Sequence, residues 1–402
     1  RDLVRSRGLG DVYKRQMAGC GNTDNGSAAT GTNAATESAA ASDSAASGSV
    51  FKIGGIGPTT GGAAVYGLAV QHGAEIAVEE INAAGGINGY QVEFKFQDDE
   101  ADAEKSVNAY NALKDWGAQI IDGSTTSGAC IAVTDKTKED NMFQITPSGS
   151  AVECVQYDNN FRVCFSNPNQ GLASAQYIGE NGLAEKIAVI YDSSDVYSSG
   201  IYEKFAKEAE NQPFEIVAAE AFTADNKTDF SVQLQKAKDA GADMVFLPIY
   251  YQESALILTQ AAAMGYAPKW FSCDGMDGIL GGVDNFDVSL TEGVMLLTPF
   301  AADATDDLTQ SFVTKYKEKY GDTPNQFAAD SYDAIYVIKA AIEKSGVTPD
   351  MSVSDICDGM KAAMTEITVD GLTGSGMTWT ADGEANKAPK AVVIEDGAYK
   401  AM

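Results

Sequence analysis

Short apolar runs alternate with longer amphipathic stretches from Phe51 onward, and this alternation limits the folds open to the chain. In the first series, strands are predicted at 51–56, 91–97, 120–121 and 143–145. The intervening stretches carry apolar residues at helical spacing, which is typical of a parallel sheet covered by helices. The order repeats after Asn169, with strands predicted at 186–191, 214–219, 244–248 and 269–273. The sequence therefore predicts an α/β protein built from two doubly wound, Rossmann-like units.

Six of the loops that follow predicted strands are made largely of small polar residues. They read GPTTGGAAVYG, GSTTSGA, TPSGSA, YDSSDVYSSG, PIYYQE and CDGMDG. A single loop of Gly and Ser is usually just a turn. In open α/β sheets, however, ligands bind beyond the carboxyl ends of the strands, and hydroxyls with free helix-start N–H groups favour an anion there. Six such loops in two units therefore indicate a binding site.

The first fifty residues differ in composition from the rest of the chain. Residues 17–50 contain Met-Ala-Gly-Cys ending at Cys20, followed by a stretch dominated by Ser, Ala, Gly, Thr and Asn. Met-Ala-Gly-Cys resembles a bacterial lipobox, so we expect Cys20 to be lipidated and residues 17–50 to form a flexible linker. Residues 1–16 lack the apolar region of a signal peptide, and we interpret them as sequence foreign to the natural protein.

Several classes of function are disfavoured by residues that the chain lacks. His72 is the only histidine, and it lies in a helical pattern with Leu68 and Ile76, so histidine-dependent nucleophilic catalysis is unsupported. Phosphate-binding motifs and zinc-ligand spacing are also absent from the sequence, so we expect no cofactor and no metal. A formal net charge of −29 disfavours nucleic acid. No apolar run is long enough to predict a transmembrane helix.

Several segments from Phe51 to Met402 carry a resemblance to a known family. They are IGGIGPTTGGAAVYG, GAEIAVEEINAAGGINGYQVEFKFQDDEAD, TPSGS, FRVCFSNPNQG and GADMVFLPIYYQESALILTQAAAMG. The chain resembles the type I periplasmic binding proteins of the branched-chain amino-acid (Leu/Ile/Val) family, which serve ABC transporters. The resemblance implies two lobes joined by a three-strand hinge, with crossovers near 167–170, 296–300 and 371–378. Lobe 1 would be 51–168 plus 299–373, and lobe 2 would be 169–298 plus 374–402.

The resemblance also implies which residues hold the carboxylate of an amino-acid ligand. In the family, a serine in the loop after the third strand contacts the carboxylate, and that position matches Ser127. The loop after the fourth strand supplies backbone amides and a hydroxyl, matched here by Ser148, Gly149 and Ser150. Ser127 and Ser150 could instead act only as helix caps.

On the other side of the ligand, the resemblance implies three aromatic residues and one acid. Tyr66 matches an aromatic near the ligand side chain, while Tyr197 and Tyr250 match tyrosines of lobe 2. Asp274 matches the acid that holds the α-ammonium, a position that is Glu in some relatives. Tyr66 and Tyr250 could alternatively be core aromatics, and Asp274 could be a turn residue, because Asp-Gly is a common turn pair.

The function implied is that of an extracytoplasmic substrate-binding lipoprotein that delivers a small amino acid, branched-chain or aliphatic, to an ABC permease and its ATPase. The chain would act as a monomer, attached to the outer face of the membrane only through its lipid. Alternatives are a ligand-binding component for a sensor or chemoreceptor, or the same fold with an aromatic acid, amide, urea or short peptide as ligand. An enzyme using Asp192, Asp195, Asp274 and Asp277 is the least supported alternative, because no nucleophile or cofactor motif accompanies them.

Five cysteines follow Cys20, and an extracytoplasmic location would permit disulfides. We expect a Cys154–Cys164 disulfide, with Cys130 as a competing partner for Cys164. An odd number leaves at least one free thiol unless chains pair with one another.

Overall fold

The structure is a computed structural model that describes residues 48–402. The predictions for residues 1–16, for Cys20 and for most of the 17–50 linker lie outside the described residues.

The first sheet has five parallel strands in the order β2-β1-β3-β4-β5. They are β1 (Phe51–Gly57), β2 (Val92–Asp98), β3 (Ile120–Asp122), β4 (Phe143–Thr146) and β5 (Asn160–Arg162). The first four are connected by helices α1 (Ala64–Ala83), α2 (Ala103–Trp116) and α3 (Ser127–Asp140). The strand order reverses between β1 and β3, which is where an open α/β sheet forms its binding crevice.

The second sheet has seven strands in the order β12-β11-β10-β9-β8-β6-β7. The strands are β6 (Lys186–Asp192), β7 (Glu215–Phe222), β8 (Met244–Leu247), β9 (Lys269–Ser272), β10 (Met295–Thr298), β11 (Lys390–Glu395) and β12 (Ala398–Ala401). The helices of this part are α4 (Asn167–Glu180), α5 (Val196–Ala209), α6 (Ser231–Asp239) and α7 (Tyr251–Ala263). Its parallel strands β7-β6-β8-β9-β10 repeat the order of the first sheet, and β11 and β12 add an antiparallel edge. Two sheets of this topology confirm the predicted fold class.

Local sequence signals explain where many of the helices begin and end. Asp102 accepts hydrogen bonds from two backbone N–H groups at the start of α2, and Gly117 ends that helix in a left-handed conformation. The same pair of devices brackets α9 (Gln326–Ser345), where Asn325 caps the start and Gly346 ends the helix. Two further helices, α8 (Asp307–Tyr320) and α10 (Val353–Met364), lie on either side of α9 in the chain.

Helix α9 packs directly against α1 of the first sheet, and a glycine allows the close approach. A Cβ built on Gly73 of α1 would lie 2.0 Å from the carbonyl oxygen of Ala328 in α9. No side chain fits in that space, so the contact requires glycine. Because residues 326–345 pack on α1, this C-terminal segment returns to the first sheet after the chain has built most of the second.

The structure differs from the predicted elements in a few places. Helix α4 begins at Asn167, where a crossover was predicted at 167–170, because proline is well tolerated in a first helical turn and Pro168 occupies that position. The segment that leaves the first sheet is therefore 163–166, between β5 and α4, and lies just before the predicted crossover at 167–170. Strands β5 and β10 were not predicted, since runs of three or four residues give little periodicity. Among residues 48–402, no helix combines the length and apolar character that a membrane span requires.

We predict that Gly73→Ala destabilises the protein, because α1 and α9 would have to separate to admit the methyl group. Overpacking of this kind costs about 1–3 kcal/mol, which exceeds the gain in helix propensity from alanine. Thermal unfolding should show a melting temperature several degrees lower. Gly281→Ala is a suitable control, since no atom lies within 4 Å of its Cβ position. Equal melting temperatures for both variants would contradict the packing described.

Candidate functional site

The carboxyl ends of strands from both sheets meet at one narrow cavity. Loops that follow β3 and β4 supply one wall, and loops that follow β6, β8 and β9 supply the other. The lining residues are Tyr66, Thr125, Thr126, Ser127, Ser148, Tyr197, Tyr250, Asp274, Gly275 and Phe327. Strand order reverses at β1/β3 in one sheet and at β6/β8 in the other, so the cavity lies between the two expected binding crevices.

The start of α3 presents hydrogen-bond donors to this cavity. Thr126 precedes the helix, yet no side chain caps the first N–H groups of α3. The Thr126 hydroxyl is buried and has no hydrogen-bond partner among the described residues. Uncapped N–H groups and a helix dipole favour a negative group, and an unpaired buried hydroxyl is costly unless a ligand binds it.

Ser127 is held so that its hydroxyl can only donate. Its Oγ accepts hydrogen bonds from the backbone N–H groups of Ser150, at 3.2 Å, and Ala151, at 3.1 Å. Both lone pairs of Ser127 Oγ are therefore engaged. None of the described residues accepts its proton, so the proton can be donated to a ligand. Ser148 differs, because its hydroxyl already donates to the carbonyl of Thr125 at 2.6 Å. It therefore offers the cavity a lone pair.

The loop after β4 positions residues that line the cavity. Gly149 and Ser150 are buried but do not line the cavity. Their amides, predicted to contact the ligand, instead donate to Thr146 Oγ1 and to Ser127 Oγ. The buried Arg162 guanidinium donates to the carbonyl oxygens of Gly149, at 3.2 Å, and Ala151, at 2.8 Å, which fixes the loop. The Ser150 amide therefore helps to orient Ser127, and the Gly149 amide ties the loop to Thr146 at the end of β4.

Asp274 places a carboxyl group on the opposite wall. Its Oδ1 accepts a hydrogen bond from the Tyr197 hydroxyl at 2.6 Å, and its backbone N–H donates to Gln170 Oε1 at 3.3 Å. Burial raises the pKa of Asp274 to about 7, although the hydrogen bonds from Tyr197 and Gln170 oppose that rise. A buried carboxyl with a raised pKa gains a great deal from a nearby cation. This wall is therefore suited to an ammonium group.

Aromatic side chains close the space between the two walls. Tyr197 stacks on Tyr250 with ring centroids 4.9 Å apart, and Tyr66 packs on Phe327 at 4.3 Å. The Tyr66 hydroxyl donates to the carbonyl of Gly275 and accepts from the N–H of Tyr251 at 3.2 Å. Tyr66 belongs to α1 beside the first sheet, whereas its two partners follow strands of the second. The Tyr66 side chain therefore connects the part of the site beside the first sheet to the part beside the second.

Six of the eight predicted ligand residues meet in the cavity, namely Tyr66, Ser127, Ser148, Tyr197, Tyr250 and Asp274. Sequence reasoning missed Thr125, Thr126, Gly275 and Phe327. The first three adjoin predicted residues in the same loops, so a whole-loop prediction would have included them. Phe327 lies in α9, far along the chain from the predicted loops. The only sequence signal near it is the helix cap at Asn325, which places Phe327 at the start of a helix.

The predicted Cys154–Cys164 disulfide is not formed in the structure. Both side chains are buried free thiols, as are the other three cysteines among the described residues. Cys154 packs in a small cluster with Cys130 and Ala151. Cys164 lies instead near Asp330 and Lys387. Sequence spacing could not reveal that the loop between Cys154 and Cys164 turns the two side chains into different environments.

The cavity is small in the described arrangement. The empty space among its lining residues is about 240 Å³, including its opening to solvent. A larger cavity, about 1200 Å³ including its opening to solvent, lies on the other side of Tyr250. The carboxylates there already have partners, such as Lys227 for Glu253 at 2.8 Å. The small cavity holds the unpaired Thr126 hydroxyl and the Asp274 carboxyl, which has no cationic partner among the described residues, and the large cavity resembles an approach to it.

Comparison with known proteins gives consistent relatives. A family model described as periplasmic binding protein matches residues 50–398. A Leu/Ile/Val-binding protein homolog of Brucella melitensis is 30% identical over 300 residues, covering 74% of this chain and 80% of that protein. A leucine-, isoleucine-, valine-, threonine- and alanine-binding protein of Pseudomonas aeruginosa is 30% identical over 302 residues, covering 73% and 78%.

Solved structures show the same fold. The substrate-binding protein of a branched-chain amino acid transporter from Streptococcus pneumoniae, in complex with isoleucine, has a TM-score of 0.79 and 28% identity. That match covers 88% of this chain and 98% of the other. A solute-binding protein from R. palustris in complex with benzoate has a TM-score of 0.77 and 20% identity, covering 88% and 95%. The second match bears on the fold alone.

We predict that Tyr66→Phe shifts the unliganded protein toward a more open arrangement. The change leaves the carbonyl of Gly275 and the N–H of Tyr251 buried without a partner, which costs about 1–3 kcal/mol in the closed state. Small-angle X-ray scattering should show a larger radius of gyration. Tyr266→Phe is the control, because the Tyr266 hydroxyl also donates to a backbone carbonyl, that of Ala242 just before β8 of the second sheet. No difference between the two variants would show that Tyr66 does not hold the site closed.

Proposed function

The chain belongs to the periplasmic binding proteins, in the branched-chain amino-acid family of type I, and from this premise we propose that it binds a small amino acid in the cavity between its two sheets. It is a solute-binding protein and not an enzyme. The observation that carries the proposal is the pairing of unsatisfied donors at the start of α3 with a buried carboxyl at Asp274.

The ligand carboxylate would lie at the start of α3. Ser127 Oγ and the unpaired Thr126 hydroxyl would donate to it, and the first N–H groups of α3 would add the helix dipole. Hydrogen bonds to a charged group are worth about 1.5–3 kcal/mol each. None of these donors carries a formal charge. Leaving them buried after the ligand dissociates therefore costs less than leaving an unpaired charge buried.

The ligand ammonium would lie against Asp274. Its carboxyl is positioned by Tyr197, whose hydroxyl also accepts from the backbone N–H of Gly275 at 2.8 Å. Ser148 Oγ has a lone pair to offer, since its proton is used on Thr125. An ammonium taken from water needs such acceptors, and a bare buried carboxylate needs a cation equally.

Aliphatic side chains suit the remaining wall. Tyr66 and Phe327 pack on each other and line the cavity, and the free space is limited. One relative described above is named as a binding protein for leucine, isoleucine, valine, threonine and alanine, and another as a homolog of a Leu/Ile/Val-binding protein. These names support the same ligand class. A branched-chain or smaller aliphatic amino acid is therefore the proposed ligand.

The binding step would be a hinge closure of two lobes, 51–168 plus 299–373 and 169–298 plus 374–402. One half-site lies in each lobe, so closure is favoured when one ligand satisfies both. Contacts between the lobes, such as Gln326 Nε2 to the carbonyl of Asp274 at 3.0 Å, would form in the closed state. The closed form would then deliver the ligand to an ABC permease and its ATPase.

We also propose that Cys20 carries the lipid that attaches the protein to the outer face of the membrane. The Met-Ala-Gly-Cys motif and the small polar residues that follow support this role. When residues 17–402 are expressed behind a lipoprotein signal peptide, cells grown with an alkyne-tagged fatty acid should label the protein, and Cys20→Ser should abolish the label. A labelled Cys20→Ser protein would contradict the anchor without affecting the ligand proposal.

We predict that Thr126→Val and Asp274→Asn each weaken amino-acid binding by about 10- to 100-fold. Isothermal titration with leucine, isoleucine, valine and alanine provides the measurement. Thr126→Val preserves shape, breaks no hydrogen bond within the described protein and removes an unpaired buried hydroxyl, so its melting temperature should not fall. Asp239→Asn is the control for the charge change, because this residue is exposed on α6. Unaltered affinity in both site variants would exclude the proposed site.

Binding should also depend on pH. With a pKa of about 7, Asp274 is largely protonated in the unliganded site below pH 7 and offers the ammonium no charge. Affinity should therefore fall as pH drops from about 8 to about 5, approaching tenfold per unit, with proton release on binding. Titrations in buffers of different ionisation enthalpy measure the released proton. Asp274→Asn should flatten the profile, and a flat wild-type profile would contradict the role given to Asp274.

A further inference from the structure

Two buried cysteines lie directly beneath the proposed carboxylate half-site. Cys130 is in the first turns of α3, and Cys154 is in the short 3-10 turn Val152–Val155 that follows the loop after β4. Together with Ala151 they form a separate cluster, and all three are essentially inaccessible to solvent. The Cys154 thiol points back toward α3, since its Sγ lies 3.7 Å from the carbonyl oxygen of Ser127.

The remaining cysteines of the described residues have other neighbours. Cys273 Sγ lies 3.5 Å from Ser174 Oγ, and Cys357 is in α10. Cys164 is buried in the segment after β5, and the charges of Arg162, Asp330 and Lys387 act on its pKa. Only Cys130 and Cys154 share a cluster among residues 48–402.

The surroundings of Cys130 favour its reactive form. Burial alone would raise the pKa of Cys130, but a hydrogen bond with Cys154, the Thr146 hydroxyl and the Arg162 guanidinium together lower it. Burial and the hydrogen bond with Cys130 raise the pKa of Cys154. The two thiols therefore interact directly in the packed protein.

We propose that Cys130 and Cys154 form a disulfide bond when the chain folds in an oxidising compartment, and that this bond ties the start of α3 to the segment following the loop after β4. The two tied segments carry Ser127 and Ala151, which are already joined by a hydrogen bond of 3.1 Å. The bond would therefore brace the anion-binding half-site covalently. It does not depend on which ligand the site takes.

The oxidant required is an external disulfide, acting by thiol–disulfide exchange. The thiolate of Cys130 attacks one sulfur of that disulfide, forms a mixed disulfide and expels the first thiolate. Cys154 then loses its proton, attacks Cys130 Sγ and expels the second thiolate. Two protons leave the protein, and two electrons reduce the external disulfide to two thiols. Since both sulfurs end up buried, the exchange takes place before this segment packs.

Trypsin separates the three relevant cysteines, which allows a direct test. Cleavage at Lys114, Lys136, Lys138, Arg162 and Lys186 puts Cys130 in 115–136, Cys154 in 139–162 and Cys164 in 163–186. The full chain would be refolded with oxidised and reduced glutathione, alkylated while denatured and unreduced, then digested and analysed by mass spectrometry. We expect a linked 115–136/139–162 pair that is two hydrogens lighter than the sum of its peptides, with 163–186 alkylated.

Two variants control the assignment. Cys164→Ser should leave the linked pair intact, whereas Cys130→Ser should remove it and leave 139–162 alkylated. The oxidised wild type should also melt several degrees higher than the same protein refolded with reductant, while Cys130→Ser should show no such difference. A 139–162/163–186 link, or alkylation of both Cys130 and Cys154 in folded oxidised protein, would overturn the proposal. Either result would leave the ligand-binding proposal standing.

Discussion

A buried carboxyl group faces a wall of hydrogen-bond donors, and within the described residues the carboxyl is paired with no cation and the donors with no anion. Asp274 is almost inaccessible to solvent, and Thr126 carries a buried hydroxyl with nothing to bind. Groups of this kind are costly to bury unless a partner satisfies them. A small molecule with a negative and a positive group at its two ends would satisfy both walls at once. The proposed closure of the cavity around its ligand follows from this requirement for a partner on each wall.

The fold brings the two walls together by using the same topology twice. Each sheet reverses its strand order next to its first strand, and the loops from the two reversals face one cavity. Residues outside the cavity then fix its geometry. Arg162 holds the carbonyls of Gly149 and Ala151, whose neighbouring amides orient Ser127, while Tyr66 spans from α1 to Gly275. Side chains that never touch a ligand can thus determine how well it is held.

The fold could be predicted from the sequence because strands and helices of sufficient length leave periodic patterns. The site could be predicted only as loops, and resemblance to a family supplied individual residues such as Tyr66 and Asp274. Phe327 was missed because its position depends on α9 packing against α1, a contact distant in sequence. The amides of Gly149 and Ser150 were assigned to a ligand although they bond within the protein, since a sequence does not tell which acceptor an N–H group finds. The Cys154–Cys164 pairing was predicted from spacing alone, and spacing does not tell which way each thiol faces.

The most direct test compares an amino acid with its two single-charge analogues. Isothermal titration would measure binding of leucine, of 4-methylpentanoate, which lacks the ammonium, and of 3-methylbutylamine, which lacks the carboxylate. If closure requires partners for both walls, leucine binds and each analogue is weaker by about 100-fold or more, because one buried wall stays unpaired. Equal affinity for 4-methylpentanoate and leucine would contradict the account, since Asp274 would then face no cation.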